Sequence, residues 1–384
     1  MWQTIRIVYY GDHLVGALEE PVRACIAMLR ARFRIGRLML IPHWKFGPHL
    51  DLVLDCDAVR FETEVYPRCA ALFTDWLAAH PSNEEIEPTA YAALSEKLAL
   101  TELERGPFLP LLPNNRVLRG DYQPSRALKL AAIAGAKEDF LCASLDLTLD
   151  LLDARRRDPD AFFLTLVAMM AVLGQSYRQG GLSRGYLSFR SHAEYFFAAY
   201  DNGEQALRRR LDQLDAATAE TSASVVRSVL NGRVDELPLP DELLALMRRW
   251  EALVAATAAK NDAIVRENHA RLVADDTLDR LATETVTHIP AREVERMQQR
   301  APSAVATAMQ QEAGQRVLNS QEFLSYRTTV NFFYYLLPLL GISPMKKFSL
   351  CLVVANATER ALSISWEQIL GIVKEEGRQR AANQ

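Results

Sequence analysis

The sequence contains no GxGxxG, no Walker loop, no HExxH, no GxSxG and no EF-hand spacing, so the usual dinucleotide, phosphate, zinc-protease, hydrolase and calcium signatures are absent. No two of its five cysteines (Cys25, Cys56, Cys69, Cys142, Cys351) stand at CxxC spacing, and an odd count argues against a disulfide framework or a zinc site. These thiols read as buried or half-buried groups in a reducing cytosol. Long apolar runs are missing too. The two longest, Phe162 to Gly174 and Asn331 to Ile342, reach about a dozen residues each, short of the ~20 that span a bilayer. The start, Met1-Trp2-Gln3-Thr4-Ile5-Arg6, lacks the basic-then-apolar layout of a signal peptide, and the expected location is cytoplasmic. Charge of one sign is also scarce. Forty-four Lys plus Arg against 48 Asp plus Glu leave a net charge of -4, so no global field favours a nucleic-acid backbone as partner.

What is present is a 384-residue chain with 49% hydrophobic and 24% charged residues, the composition of a folded protein with a sizeable core. Length alone allows two or three compact units. Ile5, Ile7 and Tyr9 alternate with Arg6, Val8 and Tyr10 and predict a strand. A helix follows from Pro21, with Val22, Cys25, Ile26, Leu29 and Phe33 at helical spacing up to Gly36. Arg37 to Ile41 and Leu50 to Leu54 read as strands joined by Pro42-His43-Trp44-Lys45-Phe46-Gly47-Pro48-His49, and Val59 to Ala79 as a helix. This β-α-β-β-α opening is an α+β layout with a mostly antiparallel sheet. Residues 81–125, broken by Pro88, Gly106-Pro107, Pro110, Pro113, Gly120 and Pro124, read as a long loop.

The chain from Ser125 onward reads as a large helical middle and C-terminal part. Its segments are Arg126 to Arg157, Pro159 to Arg178, one starting near Ser183, Glu204 to Leu230, Asp241 to Leu272 and Gln321 to Leu340. The charged stretch Ala274 to Pro302 reads as a covering or moving segment. Leu350, Leu352 and Val354 fit either a helix or a strand returning to the sheet.

Three clusters could carry chemistry. The first is the turn bearing His43, Trp44 and His49, which suits a ligand-contacting loop or, as plainly, a hairpin with Trp44 packed and His49 hydrogen-bonded. Two imidazoles with no nearby third ligand make a poor metal site. The second is Ser188-Phe189-Arg190-Ser191-His192-Ala193-Glu194-Tyr195, where Ser188, Ser191, His192 and Tyr195 share a helical stripe. That stripe offers proton donors and acceptors near neutral pH, unless Ser188 is an N-cap with Ser191 and Glu194 satisfying the first turn. The third is Ser320, Tyr326, Arg327, Asn331, Tyr334 and Tyr335 on an otherwise apolar helix, where polar groups imply a satisfied network or a site.

Together, Trp2-Gln3-Thr4-Ile5-Arg6-Ile7, Trp44-Lys45-Phe46-Gly47-Pro48-His49-Leu50, Val330-Asn331-Phe332-Phe333-Tyr334-Tyr335-Leu336 and Leu339-Leu340-Gly341-Ile342-Ser343-Pro344 resemble the lantibiotic dehydratase C-terminal family, which includes stand-alone thiopeptide-type bacteriocin proteins. Ser188 to Glu194 is most similar to its pyridine synthase branch. The resemblance spans nearly the whole chain. It implies one domain over 1–384, with sub-regions 1–80 (α+β), 81–125 (loop), 126–302 (helical) and 303–384 (helices returning to the core).

Two chemistries are implied by that family: elimination of glutamate from glutamylated Ser or Thr, and formal [4+2] cycloaddition of two dehydroalanines. The eliminases carry arginines near the GPHL turn and a terminal H-M-x-x-N-R. Here Pro42 falls near the first arginine position, Asp51 follows His49-Leu50, and Arg327 and Phe332 stand around Asn331. The resemblance therefore implies the cyclase, with no metal or other cofactor, no nucleic acid and no membrane. Its implied partner is a dehydrated, azole-containing precursor peptide with its leader. The candidate proton donors are Tyr326, His192, Ser188 and Ser320. Trp44, His49, Arg190, Ser191, Tyr195 and Asn331 are the candidate substrate-binding residues. A glutamate eliminase and a non-catalytic precursor-binding partner are the alternatives.

Overall fold

A computed structural model describes residues 1–11, 14–200, 206–275, 303–372 and 375. The protein divides into two compact units, one built on Met1–Leu152 with Tyr335–Gly341, the other on Asp153–Val273 with residues 303–334 and 342–372. The stretch 276–302, read from sequence as a covering segment, lies outside the described residues.

The first unit is an α+β layer. Strands β1 (Trp2–Val8), β2 (Leu38–His43), β3 (His49–Asp55) and β4 (Arg116–Gly120) form an antiparallel sheet in the order β2-β3-β1-β4. The period-two pattern of β1 sets the register: Ile5 pairs with Leu52 and Ile7 with Leu50, placing their buried side chains on one face. Arg6 pairs with Asp51 and Val8 with His49, so Arg6, Asp51 and His49 lie on the other, with the apolar Val8 among them. After a short turn of helix α1 (Leu14–Ala17), helix α2 (Glu19–Phe33) buries Val22, Cys25, Ile26, Leu29 and Phe33, as their spacing predicts. It stops three residues before Gly36, because Arg34 adopts a left-handed φ of 55° and caps it. The predicted helix 59–79 is a continuous run of α3 (Ala58–Arg60), a π turn (Phe61–Val65) and α4 (Tyr66–Ala79), with Asp57 accepting from Arg60 N at 3.0 Å.

The expected loop at 81–125 is the largest departure from the sequence reading. Helix α5 (Pro88–Glu102) and strand β4 both lie within it. Pro88 is not a breaker but the first helical residue, and Glu87 caps that helix through Thr89 N at 2.8 Å. β4 is five residues long and only half-buried; its pairing with β1 supplies what its own pattern lacks. Helix α6 (Ala131–Arg157) follows a single 3-10 turn.

The second unit is all-helical. Its central helix α7 (Pro159–Gln175) is buried without a break from Thr165 to Gly174, which explains an apolar run lacking an amphipathic stripe. Around it stand α8 (Leu182–Tyr200), α9 (Ala206–Leu230) and α10 (Asp241–Ala274), whose fully buried Trp250 donates to Met169 O at 2.9 Å. Two short helices, α11 (Ala304–Gln310) and α12 (Glu312–Leu318), lead to α13 (Gln321–Leu336) and α14 (Pro344–Leu362). Leu350, Leu352 and Val354 therefore lie on a helix, not a returning strand: Ser343 caps α14, Pro344 opens it, and both faces of its middle are buried. Among the described residues no helix is long and apolar enough to cross a membrane.

Candidate functional site

The hairpin between β2 and β3 belongs to the first unit. Gly47 has a φ of 105°, and a Cβ there would stand 2.8 Å from the Tyr10 hydroxyl, so the turn accepts only glycine. The indole of Trp44 donates to Glu102 Oε2 at 2.8 Å and stacks on His43, with ring centroids 5.5 Å apart. His49 is sealed, and its Nδ1–H donates to Gly47 O at 2.8 Å. Its Nε2 has no hydrogen-bond partner among the described residues and faces Asp51 at 4.0 Å. Burial lowers the His49 pKa. His43 is lowered to about 4, by burial first and then by His49. Asp51 accepts a two-pronged bond from Arg6, 2.8 Å to each oxygen, from the residue directly opposite it in the sheet. The position where an eliminase is expected to show an arginine thus holds a carboxylate that is already neutralised.

The other candidates lie in the second unit. Ser188 is the seventh residue of α8, so it is not an N-cap. Tyr326 of α13 is buried and donates to the carbonyl of Gly185 at 2.8 Å. A Cβ on Gly185 would lie 2.3 Å from Gly174 O, so this glycine lets α7 and α8 touch. His192 Nδ1 lies 2.7 Å from the hydroxyl of Tyr334, which is 3.6 Å from Cys351 Sγ on α14. Gly185, Ser188 and His192 follow i, i+3, i+7 spacing, about 10 Å along the α8 axis, so the positions contacted by Tyr326 and Tyr334 share a face with Ser188.

Burial holds Tyr326 and Tyr334 well above the usual phenol pKa and raises Cys351 to about 11. His192 is lowered to about 4, first by burial, then by Lys347 and Arg327. At neutral pH every member of this row is therefore an uncharged donor or acceptor. The Ser188 hydroxyl, half-buried, makes no hydrogen bond among the described residues.

Arg190 is 5% exposed and donates to Glu359 Oε1 at 2.7 Å and Asn356 Oδ1 at 2.5 Å. Asn356 in turn donates to Asp215 of α9 at 2.9 Å, so the network locks α8, α9 and α14 in register beside His192. Ser320 caps α13, accepting from Phe323 N at 3.2 Å and donating to Val317 O at 2.8 Å. Ser191 is half-buried, Tyr195 is 58% exposed, and Asn331 is exposed rather than embedded in the apolar helix.

Sequence reasoning placed Tyr334 in the third cluster without giving it a role, and it did not select Lys347 or Cys351. Cys351 carried no signal beyond being a buried thiol.

Comparison with known proteins agrees with this architecture. The fold is similar to that of the pyridine synthase TbtD from thiomuracin biosynthesis (TM-score 0.70, 20% identity, 94% of this chain and 99% of that one). It is also similar to the crystal structure of TsrL (TM-score 0.61, 15% identity, 96% of this chain and 97% of that one). Comparison with curated proteins gives no match. The family described as "Lantibiotic biosynthesis dehydratase C-term" matches residues 2–354, and the chain belongs to it.

Proposed function

We propose that the chain matures a ribosomally made peptide by forming a pyridine ring from two dehydroalanines. The amide preceding one dehydroalanine tautomerises to a 2-azadiene. It adds across the second alkene to close a six-membered ring, and loss of water and of the leader as a carboxamide leaves the aromatic macrocycle. Such a reaction needs two alkenes held together and a few proton transfers between neutral groups.

The row on the second unit has that character. Ser188 and the Nε2 edge of His192, which makes no hydrogen bond among the described residues, are the donors best placed to polarise the amide oxygen and protonate the departing hydroxyl. Tyr326 acts with them, its hydroxyl oxygen keeping lone pairs after donating to Gly185. Ser320 fixes the start of the helix that carries Tyr326. Arg190 and His49, both enclosed by internal partners, are positioning residues. Trp44 in the first unit and Ser191, Tyr195 and Asn331 in the second keep accessible surface for holding the peptide.

The observation that carries this reading over glutamate elimination is the Arg6–Asp51 pair. A carboxylate at that position offers no cation to the glutamate an eliminase must hold, and the guanidinium opposite is already engaged by it. The test is incubation with a leader-bearing peptide containing two dehydroalanines, read by mass spectrometry. Release of the leader as a carboxamide with a cyclised core is expected. An unchanged peptide, together with glutamate loss from a glutamylated version, would establish the eliminase. Peptide bound but altered in neither assay would establish a precursor-binding partner.

A further inference from the structure

Three helices of the second unit converge on Tyr334. α8 contributes His192 at hydrogen-bond distance, 2.7 Å, and α14 contributes Lys347, whose Nζ lies 5.1 Å from the centre of the Tyr334 ring. α13 contributes Arg327, two turns before Tyr334 and on its stripe by i, i+7 spacing, with the exposed Asn331 between them. Arg327 is half-buried, and among the described residues it has no hydrogen bond, ion pair or aromatic partner. Arg190, two residues before His192 on α8, shows the contrast: its guanidinium is matched by Glu359, Asn356 and Glu194.

A guanidinium does not lose its proton in a protein, so it cannot relieve the cost of partial burial by becoming neutral. Its planar fork fits a carboxylate with two parallel hydrogen bonds. Arg327 and Lys347 both lie near enough to His192 to depress its pKa. Burial alone lowers the Arg327 pKa, with no anion raising it. Arg327 thus brings a positive charge unmatched among the described residues, one turn from the exposed Asn331.

We infer that Arg327, with the exposed Asn331 one turn along the same helix, is a docking point for a carboxylate of the peptide substrate. The inference rests on the proposed peptide-maturing role and adds to it a fixed anchor at the residue that follows Tyr326 of the proton-transfer row. Its source is the peptide's C-terminus or an acidic side chain of its core, and the two are separable by experiment. An anion seated there cancels the repulsion between Arg327 and His192, so occupancy is legible on the imidazole itself.

The test uses the full chain and an unreactive leader-bearing peptide with alanine at both dehydroalanine positions, so that binding is read without turnover. Four peptides are titrated by fluorescence anisotropy: free acid, C-terminal amide, core acids replaced by their amides, and both changes together. Wild type should bind the doubly neutralised peptide at least tenfold more weakly than the free acid, and the single changes identify the source. Arg327→Gln should abolish that difference while changing affinity for the neutral peptide less than twofold, and Arg327→Lys should restore part of it. In parallel, the ring resonances of His192 should titrate near pH 4 in the free protein and move to higher pH with the acidic peptide only. Equal binding of all four peptides by wild type overturns the inference, as does uniform weakening by Arg327→Gln or no binding of any peptide. Carboxylate-dependent binding without cyclisation of the dehydroalanine peptide would uphold the docking point and remove the synthase reading.

Discussion

The two polar clusters differ in what has been left unpaired. In the first unit, Arg6 and Asp51 neutralise each other across two strands, His49 bonds its own turn and leaves only its Nε2 without a partner among the described residues, and Trp44 is tethered to Glu102. In the second, among the described residues, Ser188 has no hydrogen-bond partner, His192 keeps a free edge, and Arg327 carries an unmatched charge. A cluster whose groups satisfy one another contributes to the native state. One whose groups are held in place but left incomplete is ready for something that is not yet there. Under the proposed function the motif-rich hairpin is scaffold more than chemistry, and the reaction is assigned to the plainer helical row.

The largest effect expected to break this comparison is on His192. His192→Gln removes the imidazole while keeping an amide that can still bond Tyr334, and kcat for cyclisation should fall by about 10²–10⁴. His49→Gln should lower kcat by less than tenfold. Equal losses from both variants, measured under the same peptide concentrations, would erase the distinction between the two regions.

Next in size is the sheet pair. Asp51→Ala leaves the Arg6 guanidinium half-buried beside the orphan Nε2 of His49, and should cost about 2–4 kcal/mol in urea unfolding. The double change Arg6→Met with Asp51→Leu should recover most of it, because the desolvated charges leave together. No recovery in the double variant would mean that the pair holds more than itself.

Acid should weaken both regions over one window. His43 and His192 each fall from an ordinary value near 6.5 to about 4 in the folded protein. A histidine lowered in this way favours the native state above its unfolded pKa, and the contribution disappears as pH falls from about 6.5 towards 4. Each is worth up to about 3 kcal/mol at the upper end of that window. The regions separate by cause: Arg327→Gln should raise the His192 titration and leave that of His43 unmoved. Parallel shifts of both ring titrations in that variant would show that the effect is not local.

Much of the fold was legible from periodicity. The hairpin, α2 and the run 58–79 follow from patterns that match their burial, since each element presents one apolar face to one neighbour. β4 was not legible, because a short edge strand of Arg116, Val117, Leu118 and Arg119 owes its state to pairing with β1. Pro88 misled because a proline that opens a helix and one that ends it look alike until the preceding Glu87 is seen to cap. The site divided similarly. Ser188 and His192 were legible as one stripe, but Cys351, Lys347 and the open state of Arg327 depend on how three helices meet, and no local spacing encodes that.

The smallest change gives the sharpest separation. Ser188 is half-buried on α8 with a hydroxyl that makes no hydrogen bond among the described residues, so Ser188→Ala deletes a donor without orphaning a partner. Its effect on unfolding free energy should stay within about 0.5 kcal/mol. If the hydroxyl assists proton transfer, kcat should still fall about tenfold with KM unchanged, because the interaction is made in the transition state and not in the bound substrate. A rise in KM at constant kcat would instead make Ser188 a binding residue, and no change in either would confine the chemistry to Tyr326 and His192.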